Sequence, residues 1–259
     1  MNILDQIVAR KKEELIVRKM MVPVDEVVYS KFFGTACLSL KANLLKDHES
    51  GIIAEFKRKS PSKGYINEHA DVQKVTNDYK KSGASGLSIL TDHTFFGGSI
   101  DDLVIAREND IPILRKDFII DPYQILATKA IGADVILLIA AILSKEQVKS
   151  FAGSAKQLGL EVLLEIHDQS ELGHICADVD MVGINNRNLR TFKVDTHHAI
   201  ALSKLIPAGI LKIAESGIDT PEMIKEFKAE GYKGFLIGEA FMKENDPGLA
   251  FDNFVKKLN

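Results

Sequence analysis

The sequence predicts an α/β chain whose eight strand–helix units close into a (β/α)8 TIM barrel behind an N-terminal helical extension. Three observations carry this reading. From Gly51 onward, short apolar runs of strand length alternate with longer stretches of helical periodicity, the pattern of a parallel sheet with crossover helices. Most of the runs are apolar almost throughout rather than alternating, as strands covered on both faces must be. Eight runs favour closure over an open doubly wound sheet, and no GxGxxG follows the first, which weakens a dinucleotide-binding alternative.

Residues 1–48 precede the first run and form the extension, and residues 51–259 form the barrel. No Pro/Gly/Ser-rich linker interrupts the chain, so 1–259 reads as one domain. Ile3, Leu4, Ile7, Val8, Leu15 and Ile16 fall on one face of a first helix, expected to pack on the barrel. The basic run Arg10, Lys11, Lys12, followed at once by Glu13 and Glu14, reads as the solvated face of that helix. Strands are expected at 52–56, 86–90, 112–114, 135–139, 161–166, 181–184, 211–214 and 234–237. Gly83, Gly132 and Gly231 precede the second, fourth and eighth of these and suit helix C′ positions that need φ > 0. Asp121 before Pro122, Ser144 before Lys145 and Thr220 before Pro221 mark helix starts, two of them with proline at the first helical position.

Composition narrows the function. The formal net charge is −3 with basic residues scattered, so the chain has no electrostatic footprint for nucleic acid. Its longest apolar run, Val135 to Leu143, is too short to cross a bilayer, and the N-terminus lacks the order of a signal peptide. Two cysteines, Cys37 and Cys176, stand in unrelated contexts, which argues against a disulfide framework or a zinc site and fits the cytoplasm. Seven histidines show no metal-ligand spacing; His197 and His198 read as surface helix, and His167 is expected to point away from Glu165.

Barrel active sites lie at the C-terminal ends of the strands, so polar residues just after apolar runs are the candidates. The first strand runs into Glu55-Phe56-Lys57-Arg58-Lys59-Ser60, the third into Arg115-Lys116-Asp117-Phe118, and the sixth into Asn185-Asn186-Arg187-Asn188. Glu165 lies inside the apolar fifth run, where an unpaired carboxylate carries a large desolvation cost, so Lys116 or Lys57 is expected beside it. The last two strands end in Glu215-Ser216-Gly217 and Gly238-Glu239, small residues whose N–H groups can approach a phosphate at the start of the helices that follow.

Ile53-Ala54-Glu55-Phe56-Lys57-Arg58-Lys59-Ser60-Pro61-Ser62-Lys63-Gly64 resembles the signature of indole-3-glycerol-phosphate synthases. Phe95-Phe96-Gly97-Gly98-Ser99, Leu114-Arg115-Lys116-Asp117-Phe118, Gly183-Ile184-Asn185-Asn186-Arg187-Asn188-Leu189 and Ala214-Glu215-Ser216-Gly217-Ile218 resemble the family in order and spacing. The resemblance implies cyclisation of 1-(2-carboxyphenylamino)-1-deoxyribulose 5-phosphate with loss of CO2 and water, without cofactor or metal, in tryptophan biosynthesis. It implies Lys116 as general acid on the ribulose carbonyl and Glu165 as acid/base partner. Lys57, held by Glu55, would bind the substrate carboxylate and share proton transfer, with Asn185 and Glu215 lining the reacting centre. Phe96 and Phe118 would pack on the aromatic ring. Ser60 and Arg187 would contact substrate, and Ser216, Gly217, Gly238 and Glu239 would present the phosphate site. Glu239 stands where some relatives have serine, so it is expected to offer its N–H alone. No fused isomerase barrel is expected, and a monomer is compatible with this reading. An isomerase of a related phosphosugar would share the glycine loops but not the set Glu55, Lys57, Lys116 and Glu165, and a non-catalytic barrel would be expected to have lost Lys116 or Glu165.

Overall fold

The strands are β1 (Ile52–Phe56), β2 (Lys59–Ser60), β3 (Gly64–Tyr65), β4 (Gly86–Leu90), β5 (Ile113–Lys116), β6 (Val135–Ile139), β7 (Glu161–Ile166), β8 (Met181–Asn185), β9 (Leu211–Glu215) and β10 (Gly234–Ile237). In the computed structural model, which describes residues 2–46, 50–187 and 194–258, eight of them close into a parallel barrel in the order β1-β10-β9-β8-β7-β6-β5-β4. Burial on both faces explains the unbroken apolar runs. One set of side chains fills the barrel, among them Ile53, Leu114, Val135, Leu163 and Ile213, while the alternate set, such as Ile52, Ile136 and Val182, packs under the surrounding helices.

Three strands differ from the expected bounds. The third starts at Ile113 rather than Pro112, whose ring nitrogen has no hydrogen to give the ladder, and it runs on to Lys116. β8 and β9 each extend one residue further, to Asn185 and Glu215. These additions are polar residues that pair in register, Leu90 with Lys116 and Asn185 with Glu215. Lys116, Asn185 and Glu215 are therefore held by sheet rather than by loops. Between β1 and the next helix, β2 and β3 form a short antiparallel hairpin that hydropathy does not reveal. Arg58, at its base, is clamped by a two-pronged ion pair to Asp102 at 2.6 and 3.0 Å.

The helices are α1 (Ile3–Met21), α2 (Val24–Val27), α3 (Leu40–Leu44), α4 (Val72–Lys81), α5 (His93–Phe96), α6 (Ile100–Ala106), α7 (Pro122–Ala130), α8 (Lys145–Gln157), α9 (Thr196–Ser203), α10 (Pro221–Ala229), α11 (Glu239–Met242) and α12 (Pro247–Leu258). Asp121, Ser144 and Thr220 cap α7, α8 and α10 as expected, each accepting a backbone N–H. Gly83, Gly132 and Gly231 follow helix ends at φ of 88°, 88° and 83°.

The extension closes the barrel at both ends. At the bottom, Leu40 and Leu44 of α3 enter the barrel interior. Gly86, at the start of β4, makes room for Leu40, since a Cβ there would lie 2.5 Å from Leu40 Cδ1. At the top, α1 puts Ile3, Leu4 and Ile7 against the strand ends. Its inward stripe is Ile7, Lys11 and Leu15, at helical i, i+4 spacing. Two expectations fail here. Ile16 is 64% exposed, because it lies one position round from Leu15. Lys11, expected on the solvated face, is buried with its Nζ 2.9 Å from Glu14, 2.9 Å from Asp92 and 3.1 Å from Asp117.

That contact joins the extension to the residue next to Lys116. Asp117 also accepts from Thr91 Oγ1 at 2.6 Å and Arg115 at 2.9 Å. Burial would raise its pKa, but Arg115 and Lys11 bring it down to about 2. Lys11→Met is accordingly expected to destabilise the fold by about 3–5 kcal/mol, the cost of removing one partner of a buried ion pair. A denaturation midpoint unchanged from the parent would show that the network contributes nothing.

Candidate active site

Four strand ends bring one ammonium between two carboxylates. Lys116, from β5, places Nζ 2.8 Å from Glu165 Oε2 and 2.9 Å from Glu215 Oε2. Asn185 donates to the other Glu165 oxygen at 2.9 Å. Across the barrel, Lys57 Nζ sits 2.7 Å from Glu55 Oε1, as expected, and Ser88 donates to Glu55 Oε2 at 3.4 Å. Glu55, Glu165 and Glu215 are all buried. The expected pairing of Glu165 with a lysine is thus present, and Lys116 is the partner.

The two carboxylates on Lys116 are not alike. Burial would raise the pKa of Glu165, but Lys116, His167 and the Asn185 hydrogen bond hold it down at about 2. Glu215 is pushed up to about 7 by burial, with Glu165 and Glu55 adding to it beyond what Lys116 offsets. Burial disfavours the Lys116 ammonium, yet the surrounding carboxylates raise its pKa and keep it charged. Two anions sharing one cation leave the second with an incentive to hold a proton, and Glu215 is that second anion.

The cavity above this cluster has apolar walls from Leu137, Ile139, Phe96 and Phe118, with Ile3, Leu4 and Ile7 of α1 closing one side. Phe96 and Phe118 lie with ring centroids 5.9 Å apart and planes tilted by 37°. Ser60 and Arg187 also line it, and Arg187 N–H donates to Asn185 Oδ1 at 3.0 Å. Asn188 and Leu189 of the expected motif lie outside the described residues.

At the opposite end are Ser216, Gly217, Gly238 and Glu239. Ser216 has φ of 68° and Gly217 of 69°, so a non-glycine residue is held in the left-handed region directly after β9. Asn186 braces it, donating to the Ser216 carbonyl at 2.8 Å. α11 begins at Glu239 with Gly238 as its N-cap, so one helix start lies at this loop as expected, whereas α10 begins only at Pro221, beyond it. Glu239 turns its carboxylate to Lys63 at 2.5 Å and Arg187 at 3.4 Å. Gly238 leaves room for Glu55, since a Cβ there would stand 2.8 Å from both Glu55 Cβ and Oε1.

Sequence reasoning missed three residues of this site. Lys11 could have been found, because it falls midway between Ile7 and Leu15 on the helical stripe. Gly183 of β8 is needed because a Cβ would overlap Glu215 Oε1, a clash between neighbouring strands that no single run displays. His167 was expected to point away from Glu165, but side chains two apart on a strand share a face. Its Nε2 lies 3.4 Å from Glu165 Oε1. Among the described residues, no group of three or more His, Cys, Asp or Glu side chains is placed to hold a metal ion. His197 and His198 are exposed on α9, as expected.

A barrel with an acid/base cluster at its strand ends, beside a loop of small residues suited to an anion, defines a (β/α)8 enzyme of phosphorylated small molecules. Residues 4–254 match the family model described as indole-3-glycerol phosphate synthase, and the chain belongs to that family. An indole-3-glycerol phosphate synthase of Bacteroides thetaiotaomicron is 46% identical over 258 residues, covering 99% of each chain. One from Acinetobacter baumannii is 41% identical over 253 residues, covering 96% of this chain and 94% of its own. The fold is also that of tryptophan synthase subunit alpha from Legionella pneumophila, with a TM-score of 0.61 at 16% identity over 85% of this chain and 96% of that one.

Proposed function

We propose that this cavity closes 1-(2-carboxyphenylamino)-1-deoxyribulose 5-phosphate to indole-3-glycerol phosphate, with Lys116 as general acid and Glu165 as its acid/base partner. Beyond family membership, one observation carries the assignment of roles: the Lys116 ammonium shared by Glu165 and Glu215. When the ring carbon bearing the carboxylate attacks the ketone, negative charge grows on oxygen and Lys116 neutralises it. Loss of CO2 restores aromaticity, so this scheme uses no electron sink. Glu165 then takes the proton from the carbon beside nitrogen as the hydroxyl leaves as water. Glu165, 2.8 Å from the Lys116 nitrogen, hands that proton to Lys116, which delivers it to the departing hydroxyl, so that over the turnover Lys116 loses one proton net.

Lys57, positioned by Glu55, binds the carboxylate that is lost, and the Phe96 and Phe118 rings receive the aromatic ring. Ser60 and Arg187 bind beside them. The N–H groups of Ser216, Gly217, Gly238 and Glu239 receive the phosphate. The experiment is direct: purified protein is mixed with the carboxyphenylamino-deoxyribulose phosphate and indole absorbance and fluorescence are followed. No indole signal from folded protein would overturn the assignment, and a loss of signal on exhaustive chelation, restored by zinc or magnesium, would overturn its metal-free form.

The phosphate end has its own test. Glu239→Ser leaves the peptide N–H in place, removes a negative charge and frees Lys63 and Arg187 to face the dianion, so KM is expected to stay level or fall. A KM raised tenfold, about 1.4 kcal/mol, would give the carboxylate a positive role. The same reading takes the enzyme as a cytoplasmic monomer in which 1–48 and 51–259 form one unit. In its support, α1 and the barrel together line the cavity, and both cysteines are unpaired. Among the described residues, no helix is long and apolar enough to cross a membrane. Sedimentation at working concentration checks the monomer.

A further inference from the structure

The reaction proposed above consumes a proton. Replacing a ring carboxylate by its bond to the new ring, R–COO⁻ leaving as CO2, places a negative charge that ends on the departing oxygen. Two protons go onto that oxygen as ketone becomes water. One comes from the carbon beside nitrogen by way of Glu165, and the other comes from Lys116. After one turnover Lys116 is short of a proton, and solvent must supply it.

His167 stands between Glu165 and a second, polar groove under α1. Its side chain is 14% exposed, and among the described residues neither ring nitrogen has a hydrogen-bond partner. Nε2 faces Glu165 Oε1 at 3.4 Å and Nδ1 faces Glu171 Oε2 at 3.8 Å. The backbone fixes both sides: His167 N–H donates to Glu171 Oε2 at 2.6 Å, and the His167 carbonyl meets His198 Nε2 at 2.9 Å. The groove is lined by Asp5 and Lys12 of α1, Asp168 and Glu171 after β7, and His198 of α9, and Asn185 borders both it and the cavity. Toward the cavity the ring is met by Glu165, with Glu215 and Lys116 behind. A partly buried imidazole that faces a carboxylate on each side, with no hydrogen bond to either among the described residues, is arranged to pass protons rather than to hold the fold.

Resting on the reading of Glu165 and Lys116 given above, we propose that His167 relays the solvent proton that recharges Lys116 in each turnover. The ring takes a proton at Nδ1 from Glu171, which lines the groove and exchanges with its water, and releases the one on Nε2 to Glu165 Oε1. A half-turn of the carboxyl presents that proton to Lys116 Nζ, which lies 2.8 Å from Oε2, and a flip of the imidazole restores its tautomer. Burial lowers the His167 pKa, but Glu171, Glu165 and Glu215 outweigh it and raise the value above the usual 6.5, which favours loading of the ring near neutrality. His167 acts through Glu165 and is a positioning and relay residue.

The relay separates the first turnover from those that follow, because Lys116 starts charged. In rapid-mixing experiments near neutrality, where Lys116 and Asn185 still keep Glu165 ionised, His167→Ala is expected to form the first equivalent of indole product at close to the parent rate. The steady state should then slow at least about tenfold, and imidazole added at increasing concentration should restore it. A steady state within twofold of the parent overturns the relay. So does a slow steady state that imidazole leaves unchanged, or a first turnover slowed as much as later ones, which is the mark of a structural role. Should the alanine variant fail to fold, His167→Gln, which fills the space and keeps a donor, carries the test through the same comparison of first and later turnovers. Absence of indole formation by the parent protein would instead remove the underlying assignment, so the two failures are distinct.

Discussion

Lys116→Ala is expected to lower kcat by at least about a hundredfold, with a smaller change in KM, the pattern for loss of a general acid. The structure enlarges this expectation, since the ammonium has two duties. It supplies the proton, and it holds the Glu165 and Glu215 carboxylates within 3 Å of itself. Without it the pair faces like-charge repulsion inside the barrel, and the pKa of Glu165 climbs as its strongest partner is lost. The base then fails together with the acid. Lys116→Arg keeps the positive charge but cannot give up a proton near neutrality, so it is expected to retain more thermal stability than Lys116→Ala and remain as inactive. Steady-state kinetics with a melting curve for each variant checks both halves. Near-normal turnover of Lys116→Ala would transfer the acid role to Lys57.

The barrel was legible because strands buried on both faces cannot hide their composition, and five of its eight strands begin and end where the apolar runs do. It was least legible where strands become the site. Lys116, Asn185 and Glu215 belong to the ladder yet break the apolar run, so hydropathy stops one or two residues early. The same polar residues, taken at strand ends, were what pointed to the site. Burial of Lys11 was hidden for a different reason. Its charge is compensated by Asp92 and Asp117, about a hundred residues away along the chain, and no local pattern records that pairing. Gly183 and Gly238 look like loop or strand glycines until Glu215 and Glu55 are seen to occupy the space a side chain would need.

Glu165→Gln is expected to cost at least about a hundredfold in kcat, and Glu215→Gln much less, although both side chains touch the same ammonium. The difference follows from their protonation. Glu165 is held at about 2 and is ionised throughout the working range, whereas Glu215 is pushed up to about 7 and carries a proton through much of it. An amide mimics the protonated acid, so glutamine removes the base at 165 but resembles the resting group at 215. The stability arguments run in opposite directions. Glu215 titrates above its ordinary value of 4.5, so its contribution is complete below 4.5 and is lost as pH rises through about 7. Glu165 titrates below 4.5, so its contribution is present above 4.5 and is lost as pH falls toward about 2. Glu215→Gln should therefore flatten the fall in melting temperature between pH 4.5 and 7 that the parent shows from this group, and Glu165→Gln should weaken the loss on acidification below 4.5. Profiles of kcat and melting temperature against pH for the two variants measure all of this. A Glu165→Gln variant that kept the parent's acidic limb in kcat would rule out Glu165 as the titrating base, and equal losses in the two variants would assign the base to the pair acting together.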